Sequence, residues 1–251
     1  MFVLVASEAE VAVARTVSKI ATKNQERFVK ESILEVQNIT KEVNSPEGVL
    51  TILKDVNLTI NAGDVTSIVG PSGSGKTTLL AIMAGLDLPS RGRIKLMGHE
   101  ITTMNEDKRA QVRSNDVGFV FQSFHLLPRL SALDNVMLPL EILGDKNAKN
   151  KSMEALNQIG LEKRVKHLPN QLSGGEKQRV AIARAMVKQP KILFADEPTG
   201  NLDKASTEII SDLLFSINHA YQTTIVIVTH DLLLAQNCQT MHELDEGSLK
   251  C

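Results

Sequence analysis

Apolar residues in this chain fall into short unbroken blocks bounded by turn residues and into longer stretches where they return every three or four positions. The first pattern predicts buried strands, the second amphipathic helices. ILEVQNIT and LTILKDVNLTI read as strands of a small β layer, and Asn61, Ala62, Gly63 and Asp64 form a turn leading into the buried block VTSIVG. KTTLLAIMAGL has helical spacing, RGRIKLMG predicts another strand and VGFVFQ a further buried one. Between about 123 and 172 the chain changes character: DNVMLPLEILG and KSMEALNQIGLEKRV are helical in period, with Pro128, Gly144 and Pro169 as punctuation. That stretch predicts a helical insertion. Helix EKQRVAIARAMVKQ, strand KILFAD, helix TEIISDLLFSINHA and strand TTIVIVTH then follow in turn, closed by a hairpin around Asp245, Glu246 and Gly247. Strands alternating with helices predict an α/β fold with a mostly parallel sheet, accompanied by the small β layer and the helical insertion.

Residues 1–31 stand apart as an N-terminal extension to a domain over 32–251. Ser7 with Glu10 makes a capping-box pattern ahead of VAVARTVSKIATK, which predicts an amphipathic helix, with a disordered, solvated extension as the alternative. The start MFVLVASEAEVAVA has no basic leader and carries Glu8 and Glu10, so a secretory signal is not expected. No apolar run approaches the roughly 18–20 residues needed to span a bilayer, so work at a membrane calls for a partner. The chain has 251 residues, and its 42% hydrophobic content is enough for a proper core. A net charge of −1, from 28 basic and 29 acidic side chains, offers no basic footprint for DNA or RNA, and no nucleic-acid partner is expected. The two cysteines, Cys238 and Cys251, lack metal-ligand spacing and fit a reducing compartment.

Chemistry enters with GPSGSGKT at residues 70–77, set between a buried strand and a helix. This is the G-x-x-x-x-G-K-[ST] pattern of a phosphate-binding loop. Gly70, Gly73 and Gly75 allow backbone torsions and close approach, so that successive N–H groups can point at phosphate oxygens at a helix N-terminus, and Gly70, Pro71, Ser72, Gly73, Ser74, Gly75, Lys76, Thr77 and Thr78 are the candidate nucleotide-binding residues. Lys76 is expected at the β- and γ-phosphates and Thr77 at Mg²⁺. The loop names a nucleotide, not a task.

KILFADE ends a strand with two acids at the carboxyl edge where open α/β sheets bind ligands. Asp196 is the candidate for Mg²⁺ and Glu197 the candidate base for the attacking water. In LSGGEKQRVAIARA, Ser173, Gly174 and Gly175 open a helix and so supply a second anion-binding N-terminus. One triphosphate cannot readily fill two cradles in a single compact domain, whereas two chains facing head to tail can share them. His230 follows the apolar block TTIVIV and belongs at the same edge as Asp196, while His99, His125, His167, His219 and His242 read as surface residues.

These motifs resemble the ABC ATPase family over about 33–249: GPSGSGKT, VFQSF with Gln122, LSGGE, ILFADE, TGNLD ending in Asp203, and VTHD with His230 occur in the family's order. The resemblance implies a P-loop NTPase core, with a small antiparallel β subdomain and a helical subdomain insertion, that hydrolyses ATP with Mg²⁺. It implies that Gln122 contacts Mg²⁺ and the attacking water, that Asp203 reaches across a dimer, and that His230 holds the γ-phosphate and positions Glu197. The family usually stacks an aromatic on adenine; KEVNSPEGVLTIL offers Val43 instead, which implies apolar packing against the base. VGFVFQSFHLLPRLSALDNVMLPL with EPTGNLD looks like the lipoprotein-releasing, macrolide-efflux and cell-division branch. That branch implies two copies of the chain working beneath a permease with a large extracytoplasmic domain, at the cytoplasmic face of the inner membrane, on lipoprotein, lipid or drug-like cargo. Gln122 with residues 124–130 and the helical insertion would grip the permease. A cell-division-type regulatory role without transport is the alternative. A DNA-repair relative would need long heptads, and a translation factor two cassettes; neither is present.

Overall fold

The computed structural model describes residues 31–46 and 48–250. The helix expected within residues 1–31 lies outside them, as does Cys251.

Strands β1 (Ser32–Ser45) and β2 (Gly48–Asn61) form a long antiparallel hairpin that β4 (Arg91–Leu96) and β5 (His99–Glu100) extend in the order β2-β1-β4-β5. The hairpin runs beyond the two predicted blocks, because KEVNS and GV continue the ladder out to Ser45 opposite Gly48. The second sheet has the order β10-β9-β3-β8-β7-β6. Its strands β3 (Val65–Val69), β6 (Val117–Val120), β7 (Ile192–Asp196), β8 (Thr224–Val228) and β9 (Thr240–Asp245) are parallel, and β10 (Ser248–Lys250) closes the edge as the expected hairpin.

Every residue of β3, β7 and β8 is buried, as strands covered on both faces must be. The period of two then sorts their side chains. Ile192, Phe194, Val226 and Val228 join one core, shared with the antiparallel sheet through Leu34 and Ile39 and with helix α1 (Lys76–Met83) through Leu79 and Leu80. Leu193, Ala195, Ile225 and Ile227 face the other core. There they meet Ile182 of α5 (Gly174–Met186) and Ile210 and Leu214 of α6 (Lys204–Tyr221).

Two differences from the sequence pattern have physical causes. EDKRAQVRSND forms α2 (Glu106–Asp116), a helix with no buried residue, so no apolar stripe announces it. Its Asn105 cap accepts from the Lys108 N–H, and Glu106 receives both Arg109 and Arg113. The stretch KSMEALNQIGLEKRV is helical only as far as α4 (Ala148–Gln158), because Gly160 turns left-handed at φ 70° and the Leu161 N–H returns to the Leu156 carbonyl. Helix α3 (Ala132–Ile142), by contrast, continues through Pro139, held at its start by a Ser131–Asp134 capping box. Helices α3, α4 and α5 enclose a third core of Val136, Leu156, Leu161 and Val180. Short α7 (Leu232–Gln236) follows β8, and the Tyr221 hydroxyl donates to Gln158 at 3.2 Å, tying α6 to α4.

Candidate active site

Neighbouring parallel strands β3, β8, β7 and β6 end side by side, so the segments that follow them share one edge: residues 70–78, Thr229 with His230, Asp196 with Glu197, and Gln122. This is the carboxyl edge at which open α/β sheets hold ligands.

The loop at 70–77 is wedged against its own chain. A Cβ on Gly70 would lie 2.0 Å from the Leu244 carbonyl oxygen in β9, and one on Gly75, at φ 101°, would lie 2.9 Å from Leu53 Cδ2 and 3.0 Å from the Ile52 carbonyl. Glycine is therefore required there before any phosphate arrives. Lys76 Nζ donates to the Gly70 and Pro71 carbonyls, both at 2.9 Å, which holds the ammonium over the loop. Ser74 Oγ is buried without a hydrogen-bond partner, and the first-turn N–H groups of α1 have no intrahelical acceptors. These donors and the helix dipole make a cradle for anionic oxygens. In the β1–β2 hairpin, Val43 is half-buried opposite the exposed Leu50, an apolar rather than aromatic surface.

The two acids diverge as strand-end neighbours do. Thr77 Oγ1 donates to Asp196 Oδ1 at 3.2 Å. Burial raises the Asp196 carboxyl above the ordinary range; the Thr77 hydrogen bond and Lys76 oppose this, and the neighbouring Glu197 charge adds to it. Glu197 sits at φ 46°, left-handed for a non-glycine residue, and its N–H continues the ladder to the Val228 carbonyl at 2.8 Å. Its carboxylate, only 13% exposed, accepts from His230 Nδ1 at 2.8 Å, the His230 N–H at 3.3 Å and Thr229 Oγ1 at 3.4 Å. A hydroxyl and a buried carboxylate held together suit a hard cation that brings its own waters and phosphate oxygens. Among the described residues no cluster of three or more His, Cys, Asp or Glu side chains could hold a metal alone.

Ser173, Gly174, Gly175 and Asp203 form a second group. Ser173 caps α5 in a box with Glu176, whose carboxyl is held below its usual range by the Ser173 N–H and Arg164. Asp203 caps α6, accepting from the N–H and hydroxyl of Ser206, both at 2.9 Å, and a Cβ on Gly175 would meet Ser206 Oγ at 2.6 Å. The chain between Glu197 and Asp203 bridges the two groups. Asn201 Nδ2 donates to the Gln122 carbonyl at 3.2 Å, and a Cβ on Gly200 would lie 3.1 Å from Gln122 Nε2.

Two polar residues that the sequence reading did not single out anchor the main chain after Gln122. Asn135 is fully buried, accepting from the Leu127 N–H at 2.8 Å and donating to the Leu127 and Leu130 carbonyls. Arg184 reaches the main chain beyond Gln122. Their partners are backbone groups, which no side-chain motif records; a lone charge in the apolar run AIARAM is the one signal for Arg184. Two of the histidines expected at the surface, His167 and His242, are only partly exposed, and burial pushes His242 below the usual imidazole value.

The family model for the ABC transporter matches residues 53–200. The chain is 50% identical over 222 residues to the "Uncharacterized ABC transporter ATP-binding protein YbbA" of Escherichia coli K12, covering 88% of this chain and 97% of that protein. It is 47% identical over 219 residues to the lipoprotein-releasing system ATP-binding protein LolD of Legionella pneumophila strain Lens, covering 86% and 96%. Among solved structures, the dimeric post-hydrolysis state of the ATP-binding cassette MJ0796 bound to ADP and Pi is similar at TM-score 0.81 and 38% identity, over 87% of this chain and 97% of that one.

Proposed function

This chain belongs to the ABC transporter family as an ATP-binding, ATP-hydrolysing subunit, and we propose that two copies of it close head to tail on Mg-ATP and drive a separate membrane permease. The observation that carries the proposal is the pairing at the sheet edge, Thr77 with Asp196 at 3.2 Å and Glu197 with His230 at 2.8 Å. Residues 70–78 bind the phosphates, with Lys76 exchanging its loop carbonyls for the β- and γ-phosphates. Thr77, Asp196 and Gln122 would hold Mg²⁺, which would supply neutralising charge to the phosphate oxygens. Glu197 takes a proton from the attacking water, an effect worth about 10²- to 10⁴-fold in rate, and His230 keeps that carboxylate aimed through Nδ1 while Nε2 serves the γ-phosphate. Val43 packs against the base.

Ser173, Gly174 and Gly175 complete the opposing chain's site, and Asp203 reaches across the same interface. The dimeric MJ0796 cassette supports this arrangement. The permease is an integral-membrane protein with a large extracytoplasmic domain, gripped by residues 124–130 and the helical insertion. No helix among the described residues is long and apolar enough to cross a membrane. Of the lipoprotein, lipid or drug-like cargo expected, the LolD similarity supports lipoprotein, together with a place at the cytoplasmic face of the inner membrane. Glu197→Gln leaves binding intact and removes the base, so Mg-ATP should hold this variant as a dimer on size-exclusion chromatography. Monomer alone under those conditions would sink the sandwich model.

A further inference from the structure

We infer that Arg184 is a positioning residue for ATP hydrolysis, tying the segment that carries Gln122 to the helix that Ser173 opens so that both move as one body. The inference rests on the ATPase reading above and deepens it. Phe124 and His125 are consecutive non-glycine residues at φ 61° and 47°. In an extended chain successive carbonyls point to opposite sides, but two left-handed residues in a row turn both to the same side. The guanidinium of Arg184 uses that geometry: Nη1 donates to the His125 carbonyl at 2.7 Å and Nη2 to the Phe124 carbonyl at 2.9 Å. A planar fork presents two fixed N–H groups to two acceptors on one side, where an ammonium is a compact point charge without that fixed geometry.

Arg184 lies on α5, whose flanking residues Ala183 and Ala185 are buried in the helical and sheet cores respectively. The fork therefore joins a packed helix to a backbone turn that side-chain contacts alone would hold weakly. From the turn, an aromatic ladder runs inward: the His125 ring meets Phe121 edge-on at 4.7 Å, Phe121 stacks on Phe119 at 4.2 Å, and Phe119 lies 6.3 Å from Phe194, two residues before Asp196. Gln122 sits within this turn, bonded through its carbonyl to Asn201. Releasing the fork frees the placement of Gln122 without touching the phosphate loop, so turnover should fall while nucleotide binding persists.

The test compares wild type with Arg184→Lys, which keeps charge and stem but loses the fork, and with Arg184→Ala. Arg184→Lys should lower kcat about tenfold with KM for ATP within about twofold, and Arg184→Ala should lower kcat further. Unchanged kcat with a lower Tm assigns Arg184 a packing role only and overturns the inference, as does a raised KM with intact kcat. Hydrogen exchange on the wild-type chain judges it even if the alanine variant fails to fold. The Phe124 and His125 amides should be protected with the middle of α5, and exchange at free-loop rates overturns the inference. Absence of ATP hydrolysis by the wild-type chain strikes instead at the reading beneath it, and the exchange result still decides for Arg184.

Discussion

At Asp196 stability and function pull in opposite directions. Burial raises its carboxyl, so the folded chain keeps this proton at pH values where the unfolded chain has lost it. The destabilisation is absent in acid below the unfolded value, grows across the window up to the raised folded value, and is complete above it. Asp196→Asn should therefore raise Tm at neutral pH, by on the order of 2 °C, with the gain vanishing as pH falls below the ordinary aspartate range. It should also remove the added stabilisation that Mg-ATP confers on wild type. Thermal scans across pH, with and without Mg-ATP, check both; equal melting of the two apo proteins at neutral pH removes the burial argument. Single residues were legible in the sequence when their chemistry is carried by side-chain identity at fixed spacing, as for Lys76, Thr77, Asp196, Glu197 and His230. Asn135 and Arg184 were not, because their work is done on main-chain carbonyls and amides brought near only by the fold.

Among the elements, buried strands announced themselves, since VTSIV, ILFAD and TIVIV are apolar enough to be covered on both faces. Helix α2 did not, for its stability is polar and local. Asn105→Ala removes its cap and should cost about 1 kcal/mol, read as faster amide exchange over 106–116 with the sheet unaffected. Unaltered exchange there would mean the cap is idle. The Glu106 carboxyl is held below the usual glutamate range by Arg113 and Arg109, so the support it gives is present above that range and is lost as pH falls through its lowered value. The end of α4 at Gln158 was obscured for a different reason: the apolar positions after Gly160 continue the helical period by chance of spacing, but Leu161 enters the helical core from a turn.

For the whole molecule, the proposal above has the two groups of site residues complete one another across two copies of the chain. Lys76→Ala spoils the loop and Gly174→Asp spoils the opposing helix start, so each variant alone should be inactive. Mixed, they form dimers in which one composite site has both halves intact, and random pairing should restore up to about a quarter of wild-type ATPase activity. No recovery on mixing, with dimers present, argues that each chain works by itself. The sequence motifs made this division legible; the wedge of Gly70 against the Leu244 carbonyl was hidden, because it joins residues far apart in the chain. Strand β9 pairs with β3 and so flanks the loop from the far end of the sequence. During synthesis, residues 70–77 leave the ribosome long before residues 240–245, and the cradle stays open on one side until they follow. Nucleotide binding should thus be a late event in the life of a nascent chain, and premature termination before β9 should yield a product with a weakened grip on ATP rather than a fully working subunit.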